Sequence, residues 1–182
     1  MKFHRLVLAL TLLAIAGPVL AKDGITVNMK WAGIGYDTAT EMYEDGFPVN
    51  LTLATGKGTF GNSTLAITAE FVIDGSMIGN CPEGYVVPVA VVSIPEHYWA
   101  MTITAADHSQ VYGFFNEGWM CLTDDWTDWV GETSGFFYGG SGRYECASGE
   151  WVAHYQGRNL DPSIGFRSIT GDTQGKLYLD CD

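Results

Sequence analysis

The sequence predicts an all-β protein, with an antiparallel closed β-barrel as the first choice and a β-sandwich as the alternative. Short runs of alternating polar and apolar residues recur along the chain and are rich in β-branched and aromatic side chains. Turns rich in glycine, Asp or Asn separate these runs, and helical periodicity is almost absent after the first 21 residues. A barrel is preferred because closure removes exposed edge strands, which would promote aggregation.

The elements follow from this alternation in chain order. Strands are predicted at residues 25–31, 49–54, 63–73, 85–93, 98–105, 110–116, 135–138, 150–156 and 176–180. In the third run Leu65, Ile67 and Ala69 share one face, which predicts that this face is buried. Turns are predicted at residues 74–75, 83–84, 106–109, 117–118, 139–142, 148–149 and 171–175. Residues 31–47 mix glycine with acidic residues and are predicted to form a long loop, within a least regular part at 22–55.

Residues 1–21 have the three parts of a secretory signal peptide. Basic Lys2 and Arg5 precede an apolar run, and small Val19 and Ala21 stand at the positions that a signal peptidase reads. Cleavage is predicted after Ala21, which leaves residues 22–182 as a single domain in the periplasm or outside the cell. The apolar run is too short to span a bilayer, so no membrane insertion is expected after cleavage.

The charge of the predicted mature chain excludes some classes of partner. Two of the nine basic residues lie in the leader, so seven remain against 21 acidic residues, a formal charge of −14. A field of that sign repels phosphate backbones and anionic lipid headgroups. Nucleic-acid binding and binding to anionic membrane surfaces are therefore not expected.

Four cysteines, Cys81, Cys121, Cys146 and Cys181, all follow the leader. An even number in an oxidising compartment favours two disulfides, and three pairings remain open. Each bridge would constrain the unfolded chain by about 2–4 kcal/mol. A four-thiolate zinc site is disfavoured because such sites place their cysteines in closely spaced pairs, whereas these four are far apart. No metal site or cofactor is predicted.

The segment 139–150, GGSGRYECASGE, carries the one family resemblance in the chain. It resembles the Gly-Gly-Thr-Gly-Arg-Phe-x-x-Ala-x-Gly signature of allene oxide cyclase-like and dirigent-like β-barrels, including bacterial secreted members. Ser141 stands in place of the usual threonine, Tyr144 in place of phenylalanine, and Cys146 where a small residue is common. Weaker similarity extends from about Gly56 to Asp182.

The resemblance implies a calycin-type barrel with an interior that can hold a ligand, and it implies possible homo-oligomers. On physical grounds the motif is structural first. Gly139, Gly140, Gly142 and Gly149 permit tight backbone turns, and Tyr144 can place its ring in the barrel. A nucleotide-binding loop is disfavoured because the motif lacks the lysine and the following helix.

Catalytic candidates are few, and whether the chain is an enzyme stays open. His154 is predicted within a strand, where with Arg143, Glu145 and Tyr112 it could line a barrel mouth and move protons or stabilise an enolate. His97 and His108 show no spacing that suggests a metal. The sequence holds no nucleophile-elbow serine and no dinucleotide fingerprint.

The segment 124–132, DDWTDWVGE, has the most unusual composition in the chain. Its carboxylates could bind calcium, but the spacing lacks the glycine and the distal glutamate of a calcium loop. Trp126 and Trp129 could instead stack on a sugar or another ligand, or could simply pack in the core. Together with Tyr144, these tryptophans are the ligand-binding candidates.

Three functions are compatible with these patterns. The preferred one is an exported barrel that holds a small apolar or aromatic molecule. The second is a cyclase-like, isomerase-like or dirigent-like enzyme that acts by positioning its substrate. The third is a non-catalytic module that binds envelope components or glycans.

Overall fold

The computed structural model describes residues 23–38, 49–73, 76, 80–92 and 101–181. The predicted leader and its cleavage site, residues 39–47 of the predicted loop, and His97 lie outside these ranges. The described residues form nine strands and two short 3-10 helices, Gly142–Tyr144 and Pro162–Ile164. The strands are β1 (Ile25–Asp37), β2 (Asn50–Gly58), β3 (Gly61–Ile73), β4 (Val87–Val92), β5 (Met101–Ala105), β6 (Gln110–Leu122), β7 (Asp128–Ser141), β8 (Ser148–Asp161) and β9 (Phe166–Tyr178). No helix in the described ranges is long and apolar enough to cross a membrane.

All nine strands belong to one antiparallel sheet that closes into a barrel, which confirms the predicted fold class. Strands that follow one another in sequence pair with each other, except β4 with β5, and β1 closes the barrel by pairing with β9. One strand position in the barrel wall is occupied by two short strands, β4 and β5, one after the other. β4 pairs with the second half of β3, β5 pairs with the first half, and β6 covers both from the other side. The barrel therefore has eight strand positions.

Alternate residues of each strand point inward and form the core. In β7 every second residue from Trp129 to Phe137 is buried, and β5 buries Met101, Ile103 and Ala105 in the same way. These positions follow the period-2 pattern of a sheet with one dry face. The inward rows from opposite sides of the barrel meet and fill most of its centre.

Large inward rings are matched to glycines on the neighbouring strand. An alanine Cβ at any of these glycines would approach the facing ring within 2.1–2.5 Å, well inside van der Waals contact. Each ring therefore lies over a position that only glycine can occupy without rearrangement. The register pairs are Trp31 with Gly171, Trp129 with Gly157, Trp151 with Gly135, and Tyr155 with Gly131.

These pairs explain where the predicted elements differ from the structure. Residues 171–175 were expected to form a turn, yet they lie inside β9, because Gly171 accommodates the Trp31 ring. The expected turn at 117–118 is a register shift within β6, next to Phe115 and Glu117. β1 runs on to Asp37 in a region that was expected to be a loop from residue 31.

Two disulfides join the four cysteines, Cys81 to Cys121 and Cys146 to Cys181. The first ties the segment before β4 to the end of β6, and the second ties the segment after β7 to the segment after β9. The register places these bridges at opposite ends of the barrel. Two such bridges are compatible with an oxidising, extracellular environment.

Candidate functional site

The end of the barrel that carries residues 139–149, called the motif end here, is closed by packed aromatic rings. Tyr144 is only 5% exposed and meets Phe60 edge-to-face at 5.6 Å between ring centroids. Phe60 in turn meets Phe137 at 6.5 Å. Burial raises the pKa of the Tyr144 hydroxyl. Tyr144 is therefore a core residue that closes this end of the barrel.

The glycines of the motif shape this closure. Gly142 has φ of +60°, which lets the chain leave β7 and begin the 3-10 helix. At Gly140 a Cβ would lie 2.2 Å from the carbonyl oxygen of Gln110, so the two backbones could not approach as they do. Gly139 and Gly149 also have positive φ.

The structure does not bring Arg143, His154 and Tyr112 together, which corrects the expectation of a shared barrel mouth. His154 points outward because Trp151, Ala153 and Tyr155 supply the inward row of β8. Its Nε2 lies 3.0 Å from Glu132 Oε2 on the outer surface.

The other two members of that predicted set are also separate. Tyr112 is only half-buried and donates a hydrogen bond to Gln110 Oε1 at 2.9 Å. Arg143 lies at the motif end, 4.8 Å above the Tyr144 ring and 3.3 Å from Asp107 Oδ2. Glu145 is exposed just after it. No acid–base constellation is formed by these residues.

Trp126 and Trp129 do not form a common exposed platform. Trp129 is 3% exposed and points into the barrel, whereas Trp126 lies on the turn between β6 and β7 and is 37% exposed. The carboxylates around them are used locally. Asp125 accepts hydrogen bonds from the hydroxyls of Thr123 and Thr127 at 2.7 and 2.8 Å, which lower its pKa.

Asp128 is likewise engaged, with Arg158, whose Nε and Nη2 donate to its two oxygens at 2.6 and 2.9 Å. That bidentate contact lowers the pKa of Asp128. Within the described ranges, no group of three or more His, Cys, Asp or Glu side chains is arranged to hold a metal ion.

The end of the barrel opposite the motif end, called the mouth here, contains a cavity of about 160 Å³. At this end β1, β3, β6 and β8 finish and β2, β4, β7 and β9 begin. The walls are mostly apolar, with a few polar groups on one side. The lining residues are Val89, Met120, Leu122, Trp126, Trp129, Pro162 and Gly165, with Asp37, Asn159 and Arg167.

A nearly buried ion pair forms the floor of the mouth cavity. The Arg167 side chain is 12% exposed, and its guanidinium donates to Asp37 Oδ1 and, through Nε, to the Gly165 carbonyl oxygen at 3.0 Å. Asn50 Nδ2 donates to the same Asp37 oxygen at 3.2 Å, and Thr52 donates to Asn50 Oδ1 at 2.9 Å. A polar chain thus runs from the mouth into the barrel.

Burial dominates the titration of this pair. Desolvation raises the pKa of Asp37 although Arg167 and Asn50 act in the opposite direction. Desolvation also lowers the pKa of Arg167. The hydrogen bond from Asn50 adds to the contact with Arg167 in stabilising the charged form of the Asp37 carboxylate.

Below the ion pair lies an inner chamber of about 40 Å³, room for roughly three water molecules. Arg167 and Trp129 line both the chamber and the mouth cavity and so form the partition between them. The chamber is lined by Trp31, Asn50, Thr52, Ile67, Ala69, Met101, Phe115, Trp129, Thr133, Trp151, Ala153, Tyr155, Arg167, Ile169 and Thr173.

The three indole groups of the chamber differ in their hydrogen bonding. Trp31 Nε1 donates to Thr173 Oγ1 at 3.1 Å. Trp129 Nε1 and Trp151 Nε1 are buried, and neither finds an acceptor among the described residues. Such groups are rare in folded proteins, and strain, a functional role or a bound water or ion can account for them.

Sequence reasoning missed Asp37, Asn50, Thr52 and Arg167. One signal was present, because Arg167 is in phase with Ile169, Gly171 and Thr173 on the inward row of β9. A charged residue in phase with an inward row predicts a buried partner. Asp37 could not be matched to it from the sequence, since 129 residues lie between them.

Searches of family models, curated proteins and solved structures found no match to this chain.

Proposed function

We propose that this chain is an exported barrel that binds a small apolar or aromatic molecule at its mouth. The observation that carries the proposal is the 160 Å³ cavity, with its apolar walls and buried ion pair. An apolar cavity of about 150 Å³ is large enough to accept benzene. The inner chamber is smaller, so the ligand body belongs in the mouth.

The rim of the mouth supports a ligand of this kind. Val86 before β4, and Leu160 and Ile164 between β8 and β9, are each more than half exposed. Isolated exposed apolar residues are common, but these three lie in segments at the same end of the barrel as Trp126, which lines the cavity. An apolar molecule would lose contact with water at the rim as well as inside.

The backbone of Trp126 adds a second argument. Its φ is +60°, a left-handed conformation that bulky residues rarely adopt. Strain of this kind persists where the surrounding structure compensates for it, and it is concentrated at binding sites. The strained turn places the indole at the edge of the cavity, where it can stack on an aromatic ligand.

The test is a titration of residues 22–182 with ethylbenzene, followed by calorimetry and by quenching of tryptophan fluorescence. Saturable binding is expected. Trp126→Ala should weaken it about twofold to twelvefold, the worth of one aromatic contact. The control is Tyr138→Ala, which removes an exposed ring far from the mouth on the outer surface and should leave the affinity unchanged. Absence of saturable binding, or equal losses in both variants, would refute the proposal.

The resemblance to allene oxide cyclase-like and dirigent-like proteins remains part of this proposal, and so does export. A closed antiparallel barrel with eight strand positions is compatible with that group. Enzymatic activity by positioning is the version of the proposal in which the bound molecule also reacts. No residue roles are carried over from the family.

A second candidate function, binding to a glycan surface, is favoured by a different observation. Four rings lie side by side on the outside of β6 and β7: Tyr112, Phe114, Phe136 and Tyr138, with neighbouring centroids 5.5–6.3 Å apart. Phe114 and Tyr138 are exposed and the other two rings are half-buried, and such a strip can stack on sugar faces. Retention on insoluble polysaccharide that is lost in Phe114→Ala but kept in Trp126→Ala would support this candidate. Equal retention of both variants would dismiss it.

A further inference from the structure

Trp129 lies between the mouth cavity and the inner chamber, so a ligand in the mouth would contact it. This residue lines both the mouth cavity and the inner chamber. The ring is held by Tyr155, edge-to-face at 5.7 Å, and by Gly157 beneath it. Because the side chain is confined on two sides, its indole N–H cannot turn outward to water without disturbing both contacts.

The Trp129 indole N–H is a buried donor without an acceptor among the described residues. A buried polar group left in that state is costly, about 1–3 kcal/mol. The fold can satisfy an indole in this chamber, as the Trp31 contact to Thr173 shows. Trp151 Nε1 also finds no acceptor among the described residues, but Trp151 does not line the mouth cavity. Trp129 is therefore the one of these two indoles that lies at the partition, where an atom of a ligand in the mouth can supply the partner.

The partition also restricts which acceptor fits. Arg167 could attract an anion, but Asp37 already neutralises it. Bringing a second carboxylate to this pair would add a like charge beside Asp37 in a poorly hydrated site. The chain as a whole is strongly acidic, which further disfavours anionic ligands. An uncharged oxygen, such as that of a ketone, aldehyde or ether, avoids both penalties.

We propose that the molecule bound at the mouth carries an uncharged acceptor oxygen, which accepts a hydrogen bond from the indole N–H of Trp129, while its apolar body occupies the mouth cavity. This inference rests on the proposed function and adds the chemical class of the ligand. Trp129 is a specificity-determining residue on this account, and Trp126 contributes stacking at the rim.

The experiment compares acetophenone, which has a carbonyl oxygen, with ethylbenzene, which has the same carbon skeleton without it. Dissociation constants are measured for the parent chain, for Trp129→Phe and for the control Trp31→Phe. The ratio of the two constants matters, because it cancels changes in the shape of the site. Trp129→Phe should shift the ratio against acetophenone about threefold to tenfold, the worth of one neutral hydrogen bond. Trp31→Phe should leave the ratio unchanged, since that indole already has its partner.

A second measurement uses only the parent chain and does not depend on the variant folding. The ¹⁵N–¹H signal of the Trp129 indole should move downfield when acetophenone is added and should move little with ethylbenzene. A third ligand, phenylacetate, should bind more weakly than acetophenone. An unchanged ratio in Trp129→Phe, equal shifts with both neutral ligands, or tighter binding of phenylacetate would each overturn the inference while leaving the proposed function intact. Failure of both neutral ligands to bind would overturn the proposed function as well.

Discussion

Gly157 lies beneath the Trp129 ring, and replacing it by alanine should destabilise the barrel. The added Cβ would lie 2.1 Å from Trp129 Cζ2, about 1.3 Å short of the 3.4 Å at which ordinary contact begins. On the other side it would lie 2.5 Å from the Ser168 carbonyl oxygen, which belongs to the backbone of β9 and cannot rotate away. The ring must therefore move toward the chamber, or the β8 and β9 backbones must separate.

The magnitude follows from two opposing effects. Overpacking of a well-packed core costs about 1–3 kcal/mol. Alanine restricts the unfolded chain more than glycine does, which offsets about 0.4–1 kcal/mol. We expect a net loss of about 1–2 kcal/mol in the free energy of unfolding, and hence a melting temperature roughly 2–8 °C lower for a chain of this length. Urea denaturation followed by circular dichroism measures the first quantity, and a thermal scan measures the second.

A double-mutant cycle with Trp129→Phe isolates the clash with the ring. Phenylalanine lacks the outer ring atoms that meet the new methyl group, so Gly157→Ala should cost less in that background. A coupling energy of at least about 0.5 kcal/mol is expected for residues in contact. If Gly157→Ala were as stable as the parent, or if the two changes were additive, the account of tryptophan rings seated on glycines would be refuted.

Three further predictions concern the two ends of the barrel. Burial raises the pKa of Asp37 above its unfolded value, so the contribution of Asp37 to stability should grow as pH falls through the folded pKa toward the unfolded pKa. Urea titrations from pH 7 to pH 3.5 should show the difference in the free energy of unfolding between the parent and Asp37→Asn moving in favour of the parent, and a difference that does not change with pH would contradict this. The double variant Cys146→Ala, Cys181→Ala should have a free energy of unfolding about 4 kcal/mol lower under non-reducing conditions, because the bridge closes a loop with a sequence separation of 35 in the unfolded chain. A decrease below about 1 kcal/mol by urea denaturation would contradict this prediction. Phe60→Ala at the motif end should lower the free energy of unfolding by about 3–5 kcal/mol yet leave the affinity for ethylbenzene unchanged, since the Phe60 side chain is buried and does not line the mouth cavity. A loss of affinity in the folded variant would contradict this and show that the two ends are coupled.

The strands could be predicted because alternation is a local signal. The run 63–73 shows it clearly, and β3 spans Gly61–Ile73. The prediction of a turn at residues 171–175 was wrong because the two glycines of this segment, Gly171 and Gly175, are typical of a turn. Gly171 serves instead to receive a ring from another strand, and that ring, Trp31, lies 140 positions away in the sequence. Local patterns cannot identify such a partner.

The site was harder to predict than the fold, for a similar physical reason. Trp126 and Trp129 were both singled out, either to stack on a ligand or to pack in the core. The phase of β7 places Trp129 inside the barrel, whereas Trp126 lies on the turn before that strand and is 37% exposed. Asp37 and Arg167 meet only because β1 and β9 close the barrel. An ion pair of this kind depends on the register of closure, which a single sequence does not specify.

The strand position shared by β4 and β5 offers a place to add sequence to this protein. Val92 pairs with Glu70 and Met101 pairs with Ile67, so β4 ends and β5 begins three residues apart along β3, about 10 Å. A continuous strand would span that gap with two residues, and the chain uses eight, 93–100. The sequence therefore has eight residues between two strand ends that two residues could join. Because none of the described strand pairs involves residues 93–100, we expect a reporter peptide or an epitope grafted there to leave those pairs in register.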